Sequence, residues 1–129
     1  MLGLKEAGEF HGHLGPFLVL GYLAGALAVR VLKPANEHEL RAEVRVPLRR
    51  PYSCIVDGVQ CSSRCTLGKG NIEVEDSKEY ALIFRKGDKG LRLDIRLEVI
   101  ERILERGMEE GVRWLLSLGE EKAFRITWL

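Results

Sequence analysis

Cysteine is too scarce here for a disulfide scaffold: the chain has three in 129 residues, and an odd number cannot all pair internally. A reducing cytoplasm is the expected compartment. Charge of one sign is also lacking. Lys and Arg total 20 against 19 Asp and Glu, a formal net charge of +1, so no overall field draws the protein to nucleic acid or an anionic membrane. The first ten residues carry no basic region followed by an apolar core and a small-residue cleavage site, which excludes a secretory signal. The apolar run Pro16 to Leu32 is interrupted by Arg30 and by glycines, and it has no second copy, so it reads as a buried helix rather than a span of about 20 apolar residues. Disorder is excluded as well, because 46% of residues are hydrophobic and 30% charged, the balance of a globular domain. Residues 1–129 are read as one domain.

What is present has clear periodicity. Pro16 suits the first position of a helix that runs to Leu32, before Pro34. Its small residues Gly21, Ala24, Gly25 and Ala28 recur at helical spacing and mark a face for close packing. From Leu40 to Leu48, apolar Leu40, Ala42, Val44, Val46 and Leu48 alternate with Arg41, Glu43 and Arg45, the pattern of a half-buried strand. Ser53 opens a short helix carrying Cys54, Asp57 and Cys61. Three strands are expected near Asn71 to Glu75, Tyr80 to Arg85 and Gly90 to Leu97, as a meander joined by polar turns. Ile100, Ile103, Leu104, Met108, Val112, Leu115 and Leu116 predict one long amphipathic helix ending at Gly119. A terminal strand, Ala123 to Trp128, adds to a sheet edge or pairs with a second subunit. The fold class is α+β, a layered sandwich.

Two stretches can carry chemistry. In Phe10-His11-Gly12-His13-Leu14-Gly15-Pro16, two imidazoles sit one residue apart before a helix N-terminus. In an extended His-x-His both side chains point the same way and can ligate one ion, imidazole suiting zinc, copper, iron or nickel. The plainer alternative has one histidine capping the helix and the other in solvent. In the second stretch, Cys54, Asp57 and Cys61 share a helical face, and Cys65 lies just beyond and can fold back. The spacing is not that of a zinc finger, and free cysteine is often simply buried. A carboxylate on the inward face of an apolar helix, however, needs a partner such as a histidine N–H, an arginine or a metal. Thr66-Leu67-Gly68-Lys69-Gly70-Asn71 lacks the full phosphate-loop spacing and reads as a turn.

Taken in order, His11-Gly12-His13-Leu14-x-Pro16 and Cys54-x-x-Asp57-x-x-Gln60-x-x-x-x-Cys65-Thr66-x-Gly68-Lys69-Gly70-Asn71 resemble the FmdE-like family of formylmethanofuran dehydrogenase proteins, over roughly Phe10 to Leu97. The resemblance implies an α-β-α-β-β-β core with a mixed sheet. It also implies an accessory subunit of a molybdenum or tungsten enzyme of one-carbon metabolism, with a histidine and cysteine metal site. The family usually has cysteine where this chain has Gly15, an apolar residue at Cys61 and glycine at Arg64, and many members add a cysteine-rich zinc module beyond the segment seen here. Cys61 is a possible replacement thiol.

On this basis His11, His13, Cys54 and Cys65 are the expected ligands of a transition-metal ion, zinc above all, with Asp57 behind an imidazole. A metal-free thiol enzyme or redox sensor using Cys54 or Cys65 is the alternative from another class. A third is a structural or assembly role, either as a homodimer or docked on a larger enzyme.

Overall fold

A computed structural model describes residues 1–129. The chain runs α1 (Leu4–His11), α2 (Pro16–Leu32), β1 (Arg41–Val46), α3 (Cys54–Ser63), β2 (Ile72–Asp76), β3 (Ala81–Lys86), β4 (Lys89–Ile95), α4 (Leu97–Arg106), α5 (Met108–Leu118), α6 (Glu120–Ala123) and β5 (Phe124–Trp128). The strands form one mixed sheet in the order β2-β1-β3-β4-β5, so the α+β class and the mixed sheet hold. No helix is long and apolar enough to cross a membrane.

Alternation along the strands decides what each sheet face meets. Ala42, Val44 and Val46 of β1, with Leu91, Leu93 and Ile95 of β4, are buried with the core. Arg45 and Glu43 pair on the opposite face, as do Arg92 and Asp94. The inner face packs against α2, whose Val19, Leu20, Ala24 and Leu27 join the same cluster.

Helix α2 lies unusually close to α3, and glycine is the reason. A Cβ on Gly21 would run into the carbonyl of Ile55, one on Gly25 into the Ser62 hydroxyl, and one on Gly58 into the carbonyl of Leu18. Backbone therefore touches backbone, which fixes the start of α3 relative to the start of α2.

Three expectations are corrected. The strands after α3 are not a meander: β2 pairs in parallel with β1, Val44 opposite Val74, while β3 pairs antiparallel on the other side of β1. A parallel pair needs a long crossover, and α3 with the loop behind it supplies one. The long C-terminal helix is two helices, since Gly107 at φ 81, ψ −173 ends α4 and begins α5, a conformation that only glycine adopts readily. Finally, the histidines are not in an extended segment. His11 is the last residue of α1, and Gly12 follows in the left-handed region at φ 113, its N–H bonded to the carbonyl of Gly8, an αL helix ending.

Candidate functional site

The site begins at the left-handed turn of Gly12. Reversal of the backbone there brings the ring of His13 back over His11, with ring centroids 4.8 Å apart. His11 is held from the other side: its Nδ1 lies 2.6 Å from Oδ2 of Asp57. With the carboxylate accepting, Nδ1 carries the proton and Nε2 keeps its lone pair. That Nε2 is enclosed and has no hydrogen-bond partner in the protein. A buried polar atom without a partner is costly, by about 1–3 kcal/mol, and calls for a partner from outside the protein, a water or an ion.

His11, His13 and Cys54 all line one cavity of about 180 Å³. Its floor is the beginning of α2, where Gly15 is extended at φ −125, ψ 167 and offers no side-chain cap. Its far wall is apolar, from Ile103, Leu104 and Met108 on either side of Gly107. Leu104 and Met108 are half exposed because they line this opening and not the core. Sequence periodicity had placed both on the buried stripe. The signal for the wall was Gly107 itself, a glycine inside an otherwise regular helical pattern.

The expected site residues divide. His11, His13 and Cys54 share the cavity, and Asp57 supports it through His11. Cys65 does not reach it. Arg64, at φ 65, turns the chain in the left-handed region after α3, and the Cys65 thiol, fully buried in the core, donates to the carbonyl of Leu40 at 3.3 Å. Cys61 is also buried and does not line the cavity. As the side chains stand, no three His, Cys, Asp or Glu residues are grouped to hold a metal ion. The donor types nevertheless suit one, because an imidazole held by a carboxylate, a second imidazole and a thiol line the same cavity.

The thiols themselves are not activated. Burial, and after it the Asp57 carboxylate, push the Cys54 thiol above its ordinary range, with Arg50 nearby opposing them. Burial and Asp57 do the same to Cys61. At Cys65 burial again dominates, opposed by the Ser63 hydroxyl and more weakly by Lys69 and Arg41.

The family model described as FmdE, molybdenum formylmethanofuran dehydrogenase operon, matches residues 10–125. A probable S-adenosyl-L-methionine-binding protein of Archaeoglobus fulgidus is 30% identical over an alignment that covers 95% of this chain and 38% of that protein. The chain thus spans well under half the length of that relative. A tungsten formylmethanofuran dehydrogenase FmdE-like protein from Syntrophus aciditrophicus has the same fold, with a TM-score of 0.60 at 18% identity, covering 98% of this chain and 69% of that one.

Proposed function

The chain belongs to the FmdE family, and from that premise we propose that it is an accessory subunit of a formylmethanofuran dehydrogenase type of enzyme that holds a transition-metal ion, zinc first, in the cavity before α2. His11 through Nε2, His13 and Cys54 are the donors, and Asp57 fixes the His11 tautomer. Three protein donors leave a position open. A zinc ion held by these residues would supply Lewis-acid chemistry. The protein's own contribution is to keep His11 oriented and to shield the site behind the apolar wall. Cys65 belongs to the core and not to the ligand set.

One observation carries this reading: the enclosed Nε2 of His11, left without a partner while its other nitrogen is tied to Asp57 at 2.6 Å. A metal-free thiol enzyme draws less support, because it leaves the enclosed Nε2 of His11 without a role. A second copy of the chain is the further partner we propose, through the edge strand β5, where Trp128 and Leu129 are exposed. Light scattering that returns only monomer at high concentration would remove that part.

Metal analysis of protein purified without chelator tests the centre. About one zinc ion per chain is expected. His11→Ala and Cys54→Ser should each lose it, Cys65→Ser should keep it, and Asp57→Asn should weaken affinity by about 10–100-fold, the usual cost of losing the partner behind a ligand. Substoichiometric metal that is indifferent to residues 11 and 54 would end the proposal.

A further inference from the structure

We infer that the groove at the shared end of β1 and β2 binds the phosphate group of a small molecule, with Arg49 and Lys78 as its charged grips and Tyr80 as a further donor. This site is separate from the His11 cavity and does not depend on a metal there. β1 and β2 run parallel with Val46 opposite Asp76, so the chain leaves both strands at the same end of the sheet. The loop after β1 carries Arg49, Arg50 and Tyr52, and the connection from β2 to β3 carries Ser77, Lys78 and Tyr80. The Ser77 N–H bonds to the Val46 carbonyl at 3.1 Å, which holds that connection across the end of β1. Between the two lies a groove of about 640 Å³ lined by Pro47, Arg49, Asp76, Ser77, Lys78 and Tyr80.

The cations of the groove are uncommitted, and one is held in place. No ion pair of the chain includes Arg49, Arg50 or Lys78. The acids of the β2–β3 connection have other partners: Glu75 pairs with Arg45 at 3.6 Å, Glu79 with Arg92 at 3.1 Å, and Asp76 accepts the Leu48 N–H at 2.9 Å. The lining thus sets two cations against the Asp76 carboxylate, with Arg50 adjacent. The Arg49 guanidinium lies over the Tyr52 ring, 5.0 Å from its centroid. Tyr52 is braced in turn, edge-on against buried Phe17 at 5.3 Å and tilted against Tyr80 at 5.7 Å. A guanidinium stacked on a ring keeps its planar N–H fork free, and a side chain already held in place loses less freedom on binding. Burial and Tyr52 raise the Tyr80 phenol, with Arg49 opposing them, so its hydroxyl remains a donor at neutral pH. The donors favour a tetrahedral anion. A fork, a point charge and a phenol from two loops meet oxygens that a phosphate presents in several directions, whereas a carboxylate offers two in one plane. The volume falls within the roughly 300–1,000 Å³ of small-molecule sites, so the phosphate is one end of a larger ligand and not a bare ion.

Inorganic pyrophosphate is the probe, titrated by calorimetry into the protein as purified, with zinc content measured before and after, and with citrate and a single-stranded RNA oligonucleotide for comparison. One saturable site per chain is expected, tighter for pyrophosphate than for citrate or RNA. Arg49→Gln should weaken it about tenfold or more, through loss of a charge-assisted fork. Arg49→Lys, which keeps the charge without the fork, should fall between Arg49→Gln and wild type. Lys89 is an exposed cation at the far end of β3 from Tyr80, about 20 Å away at about 3.3 Å per residue. Lys89→Gln should therefore change binding by less than about twofold in about 0.1 M salt, where charges beyond about 10 Å are screened. His11→Ala, which removes the proposed metal centre, should bind pyrophosphate as wild type does. Absence of saturable binding, equal weakening by Arg49→Gln and Lys89→Gln, or binding of citrate or RNA as tight as pyrophosphate would overturn the inference. Loss of binding in His11→Ala would do the same, by moving the anion to the cavity. Absence of zinc with pyrophosphate bound would remove the metal centre and leave this site standing.

Discussion

The two ends of α3 carry cysteines with opposite fates. At the first, Cys54 is only partly buried and faces a cavity that also holds two imidazoles. At the other, the Cys65 sulfur is sealed in the core against the carbonyl of Leu40. Between them, Gly58 locks the helix onto α2. Residue type is the same at both ends, so the difference is one of placement. The rigid middle of the helix aims one end at the α2 N-terminus, and the left-handed turn at Arg64 tucks the other beneath the sheet.

The strongest way to break this contrast is at the lock. In an exposed helix, Gly→Ala stabilises by about 1 kcal/mol. At Gly58 the new methyl would meet the Leu18 carbonyl and the backbone nitrogen of Tyr22, and rigid backbone on both sides cannot yield as a flexible side chain would. Overpacking of this kind costs about 1–3 kcal/mol and occasionally more, and with two backbones in the way the upper end is expected. Gly58→Ala should therefore lower unfolding stability in urea by about 3 kcal/mol or prevent folding. A gain near 1 kcal/mol would show that the helices do not touch as described.

A second comparison sets the cysteines against each other. Cys65→Ser puts a smaller, more polar hydroxyl where a thiol is fully buried, and should cost about 1–3 kcal/mol from imperfect packing and hydrogen bonding. Cys54→Ser, at a partly exposed position, should stay within about 0.5 kcal/mol of wild type when both are measured metal-free, and should lose the metal together with the stability that metal binding adds. Paired denaturation and metal measurements on both variants check this reciprocity. Equal stability losses, or metal loss from both, would erase the distinction between the ends of α3.

Much of this architecture was legible because its periodicities are strong. The alternation from Leu40 to Leu48 led directly to β1, and the small residues of α2 marked a close-packing face, whose partner the structure shows to be α3. Asp57 was the best single clue to the site, since a carboxylate on an apolar helical face demands a partner, and His11 is that partner. What stayed hidden depended on backbone reversals or on pairing choices. Leu4–His11 is only eight residues long and packs through Leu4, Ala7 and Gly8, so α1 left no clear pattern. Gly107 could be read as a tolerated helical glycine until its φ of 81 was known. The place of β2 was set by the crossover through α3 and not by the polar turn that follows it. Cys65 was assigned to the site from its neighbourhood in sequence, but one left-handed residue, Arg64, redirects it.

Alkaline pH gives the smallest and finest test of the buried end. The Cys65 thiol is raised from its ordinary 9.0, chiefly by burial, so the folded protein holds that proton to higher pH than the unfolded chain does. Around and above the ordinary value the unfolded state has then lost more protons than the folded state, and stability falls with rising pH. The contribution is complete below the unfolded value and is lost as pH climbs through the raised one. The loss begins near the ordinary thiol range and grows with rising pH until the folded thiol also ionises. Cys65→Ala, already less stable at neutral pH, should show a shallower alkaline decline than wild type, in urea titrations on reduced protein. Parallel declines would mean that the Cys65 sulfur meets water, and the contrast between the two ends of α3 would lose its buried partner.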